Sequence, residues 1–262
     1  MAAQPVHKLS ISRAYAVDTV SAGLKIAGFG AIFGAAVLTF SPAHAGTFLP
    51  PQGCELKMTV QMRGCTVAQH FTCNADRPGD QWVTYFDQEG PRYTSRIDSE
   101  TRWMESMNLR SGIVDVLEPE ASDHASFSTL LQTGHDDFDF WTRSNTGERL
   151  RNIGEDTLTG ETRVIDGVPL QLTRFQLKVY SSAGDLLIEM TGQQFVNADH
   201  GRFYGGVEER ADWTGELQKT DESPVTFTMP GEAGFGATDP VFDCDMQMVW
   251  APAGDLQQGR AS

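Results

Sequence analysis

The segment ETRVIDGVPLQLTRFQLKVY, residues 161–180, contains two β-strand patterns joined by the dipeptide Asp166-Gly167. Asp-Gly between alternating apolar runs is a strong signal for a two-residue hairpin turn. Side chains on a strand alternate between its two faces, and the apolar residues of the second run change phase at Thr173-Arg174. This change predicts a β-bulge or bend there, or a strand that passes from one core to another. The residues concerned are Val168, Leu170 and Leu172 before the change and Phe175, Leu177 and Val179 after it.

The same pattern of strands and turns extends through most of the chain. Runs rich in Val, Ile, Thr and aromatic residues recur roughly every ten to fifteen residues, separated by Gly, Asp, Asn or Pro. Further turns are predicted at Thr159-Gly160, at residues 182–185 and at residues 197–201. We therefore predict a mostly β protein, an antiparallel meander that forms a barrel, a half-barrel or a curled sheet. In general outline, though in no sequence motif, such a protein resembles the periplasmic half-barrel carriers of lipids and lipoproteins.

At most one or two short helices are expected, and residues 121–134, ASDHASFSTLLQTG, are the best candidate. Ser122 or Asp123 is a possible N-cap, and Gly134 is a possible C-cap. The segment is predicted to form either a short amphipathic helix or a further strand. The apolar residues with helical spacing are Phe127, Leu130 and Leu131.

The first 45 residues have the features of a signal peptide. An uncharged, mostly apolar run at residues 26–40 precedes Ala43-His44-Ala45, which fits the small-x-small rule for cleavage. This run is short for a membrane span, so a retained membrane anchor is the weaker alternative. We expect cleavage near Ala45, no stable membrane anchor afterwards, and a periplasmic or secreted protein. Its single β-rich domain would cover residues 46–250, followed by a disordered tail at residues 251–262.

The chain has four cysteines, Cys54, Cys65, Cys73 and Cys244. In an exported protein an even set of this kind predicts two disulfides. A structural zinc site would show close C-x2-C pairs, and a thioredoxin-like centre would show C-x-x-C; the sequence contains neither. We therefore predict structural disulfides and no cofactor.

A hairpin around Arg63-Gly64 predicts the disulfide partners. If these two residues form the turn, Cys54 lies directly opposite Cys73, within disulfide distance. Cys65 then bonds to Cys244 and closes a very long loop. A longer or bulged turn favours the alternative, in which Cys65 bonds to Cys73 and Cys54 to Cys244. The two-residue turn also puts one set of side chains on a single face: Cys54, Leu56, Met58, Val60, Met62, Cys65, Val67, Phe71 and Cys73.

The chain is acidic, with 20 Lys and Arg, 35 Asp and Glu, and a net charge of −15. Residues 1–45 hold three basic residues and one acidic residue, so the mature chain would carry −17. Such a polyanion repels DNA and RNA, and nucleic acid is therefore not expected as a partner. The acidic residues are scattered, which is typical of a solvated surface.

Residues 135–141, HDDFDFW, are the clearest candidate for a metal site. The histidine and the three aspartates could ligate a divalent cation. Aspartate and phenylalanine alternate along the segment, however, and this favours an ordinary half-buried strand. Neither a zinc-hydrolase nor a serine-hydrolase motif appears, so we assign no catalytic, metal or cofactor residues.

Five tryptophans either fill the core or line an apolar cavity. For the second case, the candidate ligand-lining residues are Trp82, Trp103, Trp141 and, in a Gly-rich loop, Phe235. We therefore expect a non-enzymatic envelope protein that binds or carries an apolar small molecule or lipid. The alternatives are a periplasmic hydrolase with a site of scattered carboxylates and histidines, and an assembly module whose partner is another envelope protein.

Overall fold

The computed structural model of the protein describes residues 46–245, which form fourteen β-strands and one α-helix. The predicted signal peptide, the predicted tail and residues 246–250 of the predicted β-rich domain lie outside the described residues. The elements in chain order are β1 (Cys54–Met62), β2 (Thr66–Cys73), β3 (Gln81–Asp87), β4 (Gly90–Ile97), β5 (Trp103–Asn108), β6 (Val114–Leu117), α1 (Phe127–Thr133), β7 (His135–Ser144), β8 (Arg149–Ile165), β9 (Val168–Ser181), β10 (Leu186–Asn197), β11 (Arg202–Tyr204), β12 (Val207–Asp212), β13 (Leu217–Asp221) and β14 (Pro224–Thr228).

All fourteen strands belong to one antiparallel sheet. Its order is β13-β12-β10-β9-β8-β7-β6-β5-β4-β3-β2-β1-β14, and β11 pairs with β10 beside β12. Within residues 46–245 the terminal strands β13 and β14 do not pair with each other. The prediction of a mostly β antiparallel meander is therefore confirmed, and its form is a curled sheet that does not close into a barrel.

The sheet curls far enough to bring its two ends together. β13 and β14 lie at opposite ends of the strand order, yet only Glu222 and Ser223 separate them in the chain. Because one residue spans at most about 3.6 Å, the two ends must lie on the order of 10 Å apart. The Glu222 amide donates to the carbonyl of Gly206 at 2.9 Å, and the Arg63 amide donates to the carbonyl of Ser223 at 2.9 Å. These two bonds tie the ends of the curl together.

The main core lies inside the curl, where side chains from its two halves meet. Strands β1 to β4 supply one half of this core, and β9, β10, β11 and β14 supply the other. Its members are Met58, Val60, Met62, Ala68, Val83, Tyr85, Tyr93, Leu170, Leu172, Phe195, Tyr204 and Phe227.

The predicted hairpin at Asp166-Gly167 is confirmed. Ile165 pairs with Val168, and the two turn residues have φ angles of 48° and 78°, as a two-residue turn of this kind requires. The turn predicted at Thr159-Gly160 is wrong. β8 continues through this dipeptide as a bulge, and the Thr159 hydroxyl donates to a carbonyl of β9 at 3.1 Å. Gly therefore serves here to bend a long strand.

β9 passes from one core to another, which is the second of the two sequence interpretations. Its pairing with β10 runs unbroken from Val179 to Gln171, so β9 is not bulged at Thr173-Arg174. The register shift lies in the neighbouring β8. Leu170 and Leu172 enter the main core, and the apolar residues buried on the opposite face of β9 are Phe175, Leu177 and Val179.

The predicted helix forms, but it is shorter than residues 121–134. It begins after Ser126, whose hydroxyl accepts a hydrogen bond from the Thr129 amide at 3.2 Å, and it ends at Gly134 with a φ of 84°. The N-cap predicted at Ser122 or Asp123 is therefore wrong. Asp123 instead forms a β-bridge with Asp139. The helix packs in a second small core made of Phe127, Leu130, Val196 and Phe203.

The disulfides are Cys54–Cys73 and Cys65–Cys244, the first of the two predicted pairings. The hairpin that carries them differs from the expectation in two ways. Its turn has three residues, because Met62 pairs with Thr66 and leaves Cys65 in the turn. β1 also contains a bulge beside Lys57, which shifts the register back by one residue so that Cys54 faces Cys73.

The bulge beside Lys57 also corrects the predicted faces of this hairpin. Leu56 pairs with Phe71, but Met58 pairs with His70, so the side chains of Leu56 and Met58 do not share a face. Met58 lies in the main core, and Phe71 contacts Phe48 on the outside with 5.6 Å between the ring centroids. Val67 pairs with Gln61 and is not on the face of Met58 either.

The segment after β14 covers the outer face of β1 and β2. Gln69 donates to the carbonyl of Ala237 at 2.6 Å, and Gln61 donates to the carbonyl of Asp239 at 3.0 Å. The Gly236 amide donates to the hydroxyl of Thr59 at 2.8 Å. Cys244 lies at the end of this covering segment and not on a described strand, so its bond to Cys65 fastens the segment to the sheet.

Candidate functional site

A pocket of about 660 Å³ lies where β1, β2 and the β2–β3 loop approach β11. It is partly open to solvent and borders the main core, since Met58 of the core and Met229, which packs against the core, both line the pocket. Its size is in the usual range of small-molecule sites. The remaining lining residues are Lys57, residues 70–74, residues 76–81, His200 and Arg202.

Arg202 on β11 is the unusual residue of this pocket. Its side chain is only 5% exposed, and its Nη1 donates to Oε1 of Gln81 at 3.2 Å. The buried Nε has no hydrogen-bond partner among residues 46–245, and no carboxylate of these residues forms an ion pair with Arg202. Burial lowers the pKa of the guanidinium. Since an arginine keeps its charge in proteins, a buried cation here lacks a counter-ion from the described chain.

His70 on β2 lines the same pocket and is 4% exposed. Neither ring nitrogen has a hydrogen-bond partner within the described range. Burial, with smaller effects of Arg202 and His200, holds the pKa of His70 well below its usual value. The imidazole is therefore neutral near pH 7 and offers one donor and one acceptor.

His200 and Tyr204 connect the pocket to the main core. His200 Nδ1 lies 2.7 Å from the Tyr204 hydroxyl, so one of these groups donates to the other. Burial and the nearby Arg202 lower the pKa of His200, and burial raises the pKa of Tyr204. The Tyr204 ring packs edge-on against His70 at 5.9 Å and against Phe227 at 5.2 Å.

Gln81, the first residue of β3, holds the part of the pocket lining that contains His200 and Arg202 in position. Its Nε2 donates to the carbonyl of His200 at 2.9 Å and to that of Gly201 at 3.3 Å. These bonds fix the orientation of the amide and leave its oxygen to accept from Arg202. Gly201 has a φ of 61°, and a side chain there would begin 3.3 Å from the Gln81 Nε2. The turn before β11 is therefore fastened across the pocket to β3.

The two carboxylates in the pocket lining are bound to other groups. Asp76 accepts from the indole nitrogen of Trp82 at 2.8 Å, and Asp80 pairs with Arg96 at 2.6 Å. Two further cations, Lys57 and Arg77, line the pocket at exposed positions. The lining thus holds three cationic and two acidic residues, on a protein whose net charge is −15.

The four aromatic residues predicted to line a ligand site are not among the residues that line this pocket. Trp82 is stacked on Phe71, with the guanidinium of Arg96 5.6 Å from its ring centroid. Trp103 packs edge-on against a phenylalanine of β7, and Trp141 lies 3.8 Å beneath the guanidinium of Arg149. Phe235 is half-buried in the covering segment. Each of the four has its own surroundings, and the structure does not bring them together.

The HDDFDFW segment forms part of β7 with the predicted alternation. Phe138 and Phe140 are buried, whereas Asp137 is exposed. His135, Asp137 and Glu155 place three possible metal ligands within 4.8 Å of one another. His135 also lies 2.9 Å from the Thr157 hydroxyl and 3.2 Å from Asp137. His135 and Asp137 are exposed and Glu155 is half-buried, and nothing else in the described residues points to an ion or to catalysis there.

Asp136 and Asp156, on the neighbouring strands β7 and β8, are a pair of titratable residues that do not line this pocket. They are directly paired in register, and both side chains are buried. Burial raises the pKa of each to about 6. The Ser126 amide at the start of α1 donates to Asp136 at 2.8 Å, whereas one oxygen of Asp156 has no partner in this part of the chain.

No protein-family model, no curated protein and no solved structure matches the chain. None of the helices in residues 46–245 is long and apolar enough to cross a membrane. The two disulfides are of the kind found in proteins of an oxidising compartment.

Proposed function

We propose that the protein is a non-enzymatic binder or carrier of an apolar small molecule or lipid, held in the pocket between β1, β2 and β11. The observation that carries this proposal is a pocket of about 660 Å³ continuous with the main core. Met58 and Met229 supply an apolar wall, and Met side chains adapt readily to ligands of different shape. A curled sheet provides a rigid frame for such a wall.

The proposed location is the periplasm or the exterior. The signal-peptide features of residues 1–45 and the cleavage pattern at Ala45 support export. The disulfides require an oxidising compartment to form and persist. A carrier in this location would work on molecules of the cell envelope or of the medium.

Binding is favoured over hydrolysis because the pocket holds no activated nucleophile. Within residues 46–245 the His200 ring is hydrogen-bonded to Tyr204, which does not line the pocket, and the ring nitrogens of His70 have no hydrogen-bond partner. A hydrolytic site would need a histidine joined to a hydroxyl or an acid that faces the substrate. The acids at the pocket are bound instead to Trp82 and Arg96.

Native mass spectrometry of the protein purified from its own periplasm tests this proposal. We expect a co-purifying small molecule, or displacement of the uncharged fluorescent probe N-phenyl-1-naphthylamine by extracted lipid. Met229→Trp, which fills the pocket, should abolish binding, whereas Leu186→Trp at an exposed position should not. If the wild-type protein carries no bound molecule and does not bind the probe, the proposal is wrong.

A further inference from the structure

We propose that the ligand of this pocket is an anionic amphiphile, whose single negatively charged head, a carboxylate, binds the Arg202 guanidinium while its apolar chain lies along Met58 and Met229. This inference rests on the proposed function and names the chemical class of its ligand. The two claims can fail separately, because an uncharged apolar ligand would satisfy the first and not the second.

The burial of Arg202 is the first argument. A charged group removed from water is strongly destabilising unless an opposite charge or a full set of hydrogen bonds replaces its hydration. Arg202 is 5% exposed; among residues 46–245 its side chain makes one hydrogen bond, to Gln81, and its guanidinium lies 5.8 Å from the ring centroid of Tyr204. A guanidinium has five N–H donors, so donors remain for a ligand. Carboxylates match the planar fork of arginine through two parallel hydrogen bonds.

The arrangement of the acidic residues is the second argument. Asp76 and Asp80 both line the pocket, and neither forms an ion pair with Arg202 among residues 46–245. Asp76 is bound to Trp82 and Asp80 to Arg96. Both carboxylates of the pocket lining are therefore bonded to other side chains, whereas the Arg202 guanidinium keeps donors for a ligand. Lys57 and Arg77 at the exposed part of the lining would also attract an anion toward the opening.

The charge on the part of the pocket lining formed by Arg202, His70 and His200 favours a ligand with a single negative charge. His70 and His200 are both held neutral near pH 7 by burial and by Arg202, which lowers the pKa of each. Of the three residues Arg202, His70 and His200, only Arg202 therefore carries a full charge, and His70 adds a donor without adding charge. One guanidinium balances one carboxylate, whereas a phosphate dianion would keep an unbalanced negative charge in a poorly solvated place.

Calorimetric titration of the purified full-length mature protein with four probes tests the inference. The probes are decanoate, decanol, decyl phosphate and acetate. We expect decanoate to bind about 10- to 150-fold more tightly than decanol. This ratio of affinities corresponds to the usual contribution of a hydrogen bond to a charged group. Decyl phosphate should bind less tightly than decanoate at pH 7.5, and acetate should bind far more weakly. In Arg202→Gln the ratio of decanoate to decanol affinity should fall toward one.

Arg163→Gln is the matched control, because Arg163 is an exposed arginine that does not line the pocket. It should keep the wild-type preference for decanoate. The comparison of decanoate with decanol on the wild-type protein needs no variant, so it remains decisive if Arg202→Gln does not fold.

The other outcomes separate the two claims. Equal binding of decanoate and decanol by the wild-type protein would overturn the anionic head and leave the carrier proposal standing. Tighter binding of decyl phosphate than of decanoate would overturn the choice of a monoanion. A preference that persists in Arg202→Gln would place the head elsewhere and overturn the inference. Acetate binding as tight as decanoate binding would retain an anion site but remove the carrier role, and binding of none of the probes would remove both.

Discussion

Nη1 of Arg202 donates to Oε1 of Gln81 at 3.2 Å, across 121 residues of sequence. The same amide donates through Nε2 to the carbonyls of His200 and Gly201. Gln81 therefore joins the start of β3 to the turn before β11 and holds the buried guanidinium at the wall of the pocket.

Substitution of Gln81 by Met removes three hydrogen bonds at a half-buried position. Because buried polar groups left unpaired are destabilising, we expect the free energy of unfolding to fall by about 1–3 kcal/mol. The preference for decanoate over decanol should also fall, since Arg202 loses its support. Urea denaturation and calorimetry measure the two effects. Gln176→Met, at an exposed position of β9, should change neither.

His70 makes the protein sensitive to mild acid. Its pKa is lowered in the folded state by burial first and then by Arg202 and His200. At this residue the unfolded state, which titrates near pH 6.5, therefore binds more protons below that pH, and the contribution of His70 to the free energy of unfolding decreases as the pH falls below about 6.5. Tyr204 and Gln81 also face this part of the wall, but neither titrates in this range.

Replacement of His70 by Gln should reduce this loss of stability between pH 7 and pH 5. Urea denaturation at a series of pH values gives the slope for each protein. Gln176→Met, at an exposed position of β9, is the control and should keep the wild-type slope. A steep slope that is unchanged in His70→Gln would show that another group is responsible.

Asp156 has the opposite effect on the pH dependence. Burial raises the pKa of Asp156 and of its neighbour Asp136 to about 6, whereas an unfolded aspartate titrates near 3.9. The folded state binds more protons between about pH 4 and pH 6, so this pair makes the free energy of unfolding decrease as the pH rises through that window.

Asp156→Asn removes the buried charge and should raise the free energy of unfolding at pH 7 by on the order of 1–3 kcal/mol. The gain should disappear near pH 4, where the wild-type carboxyl is protonated. Asp139→Asn is the informative comparison, because Arg151 lowers the pKa of Asp139 and its loss should destabilise at pH 7. Thermal or urea denaturation at both pH values would reveal a wrong sign for either variant.

The two disulfides should contribute unequally to stability. Cys65–Cys244 joins residues 179 apart, and Cys54–Cys73 joins residues 19 apart. In the chain-entropy model, closing the longer loop stabilises by about 5 kcal/mol and closing the shorter one by about 3 kcal/mol. The variant with Ser at positions 65 and 244 should therefore unfold at a lower urea concentration than the variant with Ser at positions 54 and 73. Equal midpoints for the two, or an unchanged melting temperature in Cys244→Ser, would contradict this role.

The general fold is predictable because strand signals and turn signals agree along the sequence. Asp166-Gly167 marks its hairpin, since few residue pairs tolerate two positive φ angles in succession. Thr159-Gly160 misleads for the same reason, because a bulge inside a long strand also uses a glycine with positive φ. Whether the sheet closes into a barrel cannot be predicted from the sequence, because closure depends on the summed twist and curl of fourteen strands.

The Cys54–Cys73 disulfide is predicted correctly although the hairpin that carries it differs from the prediction in two ways, which compensate each other. The turn is one residue longer than Arg63-Gly64, and a bulge beside Lys57 shifts β1 by one residue in the opposite sense. Cys54 consequently faces Cys73, as expected, although Leu56 and Met58 do not share a face. A bulge of this kind has no strong local signature, because it depends on how β1 packs on both sides.

The candidate site was not predictable, because its parts are distant in sequence. His70 lies in the apolar run TVAQHFT, where a buried histidine can be anticipated, but Arg202 follows a turn and looks like an ordinary exposed charge. Only the curl of the sheet buries Arg202 against β2 and β3. The tryptophans drew attention through their rarity, and each of Trp82, Trp103 and Trp141 packs locally instead.

The most direct test of the central claim is a crystal structure of the mature protein grown with 10-bromodecanoate, with the anomalous signal of bromine locating the chain end. We expect the carboxylate oxygens to lie within about 3 Å of the Arg202 guanidinium nitrogens, and the bromine to lie in the pocket near Met58 or Met229. A bromine peak outside this pocket, or a carboxylate that does not contact Arg202, would contradict the account.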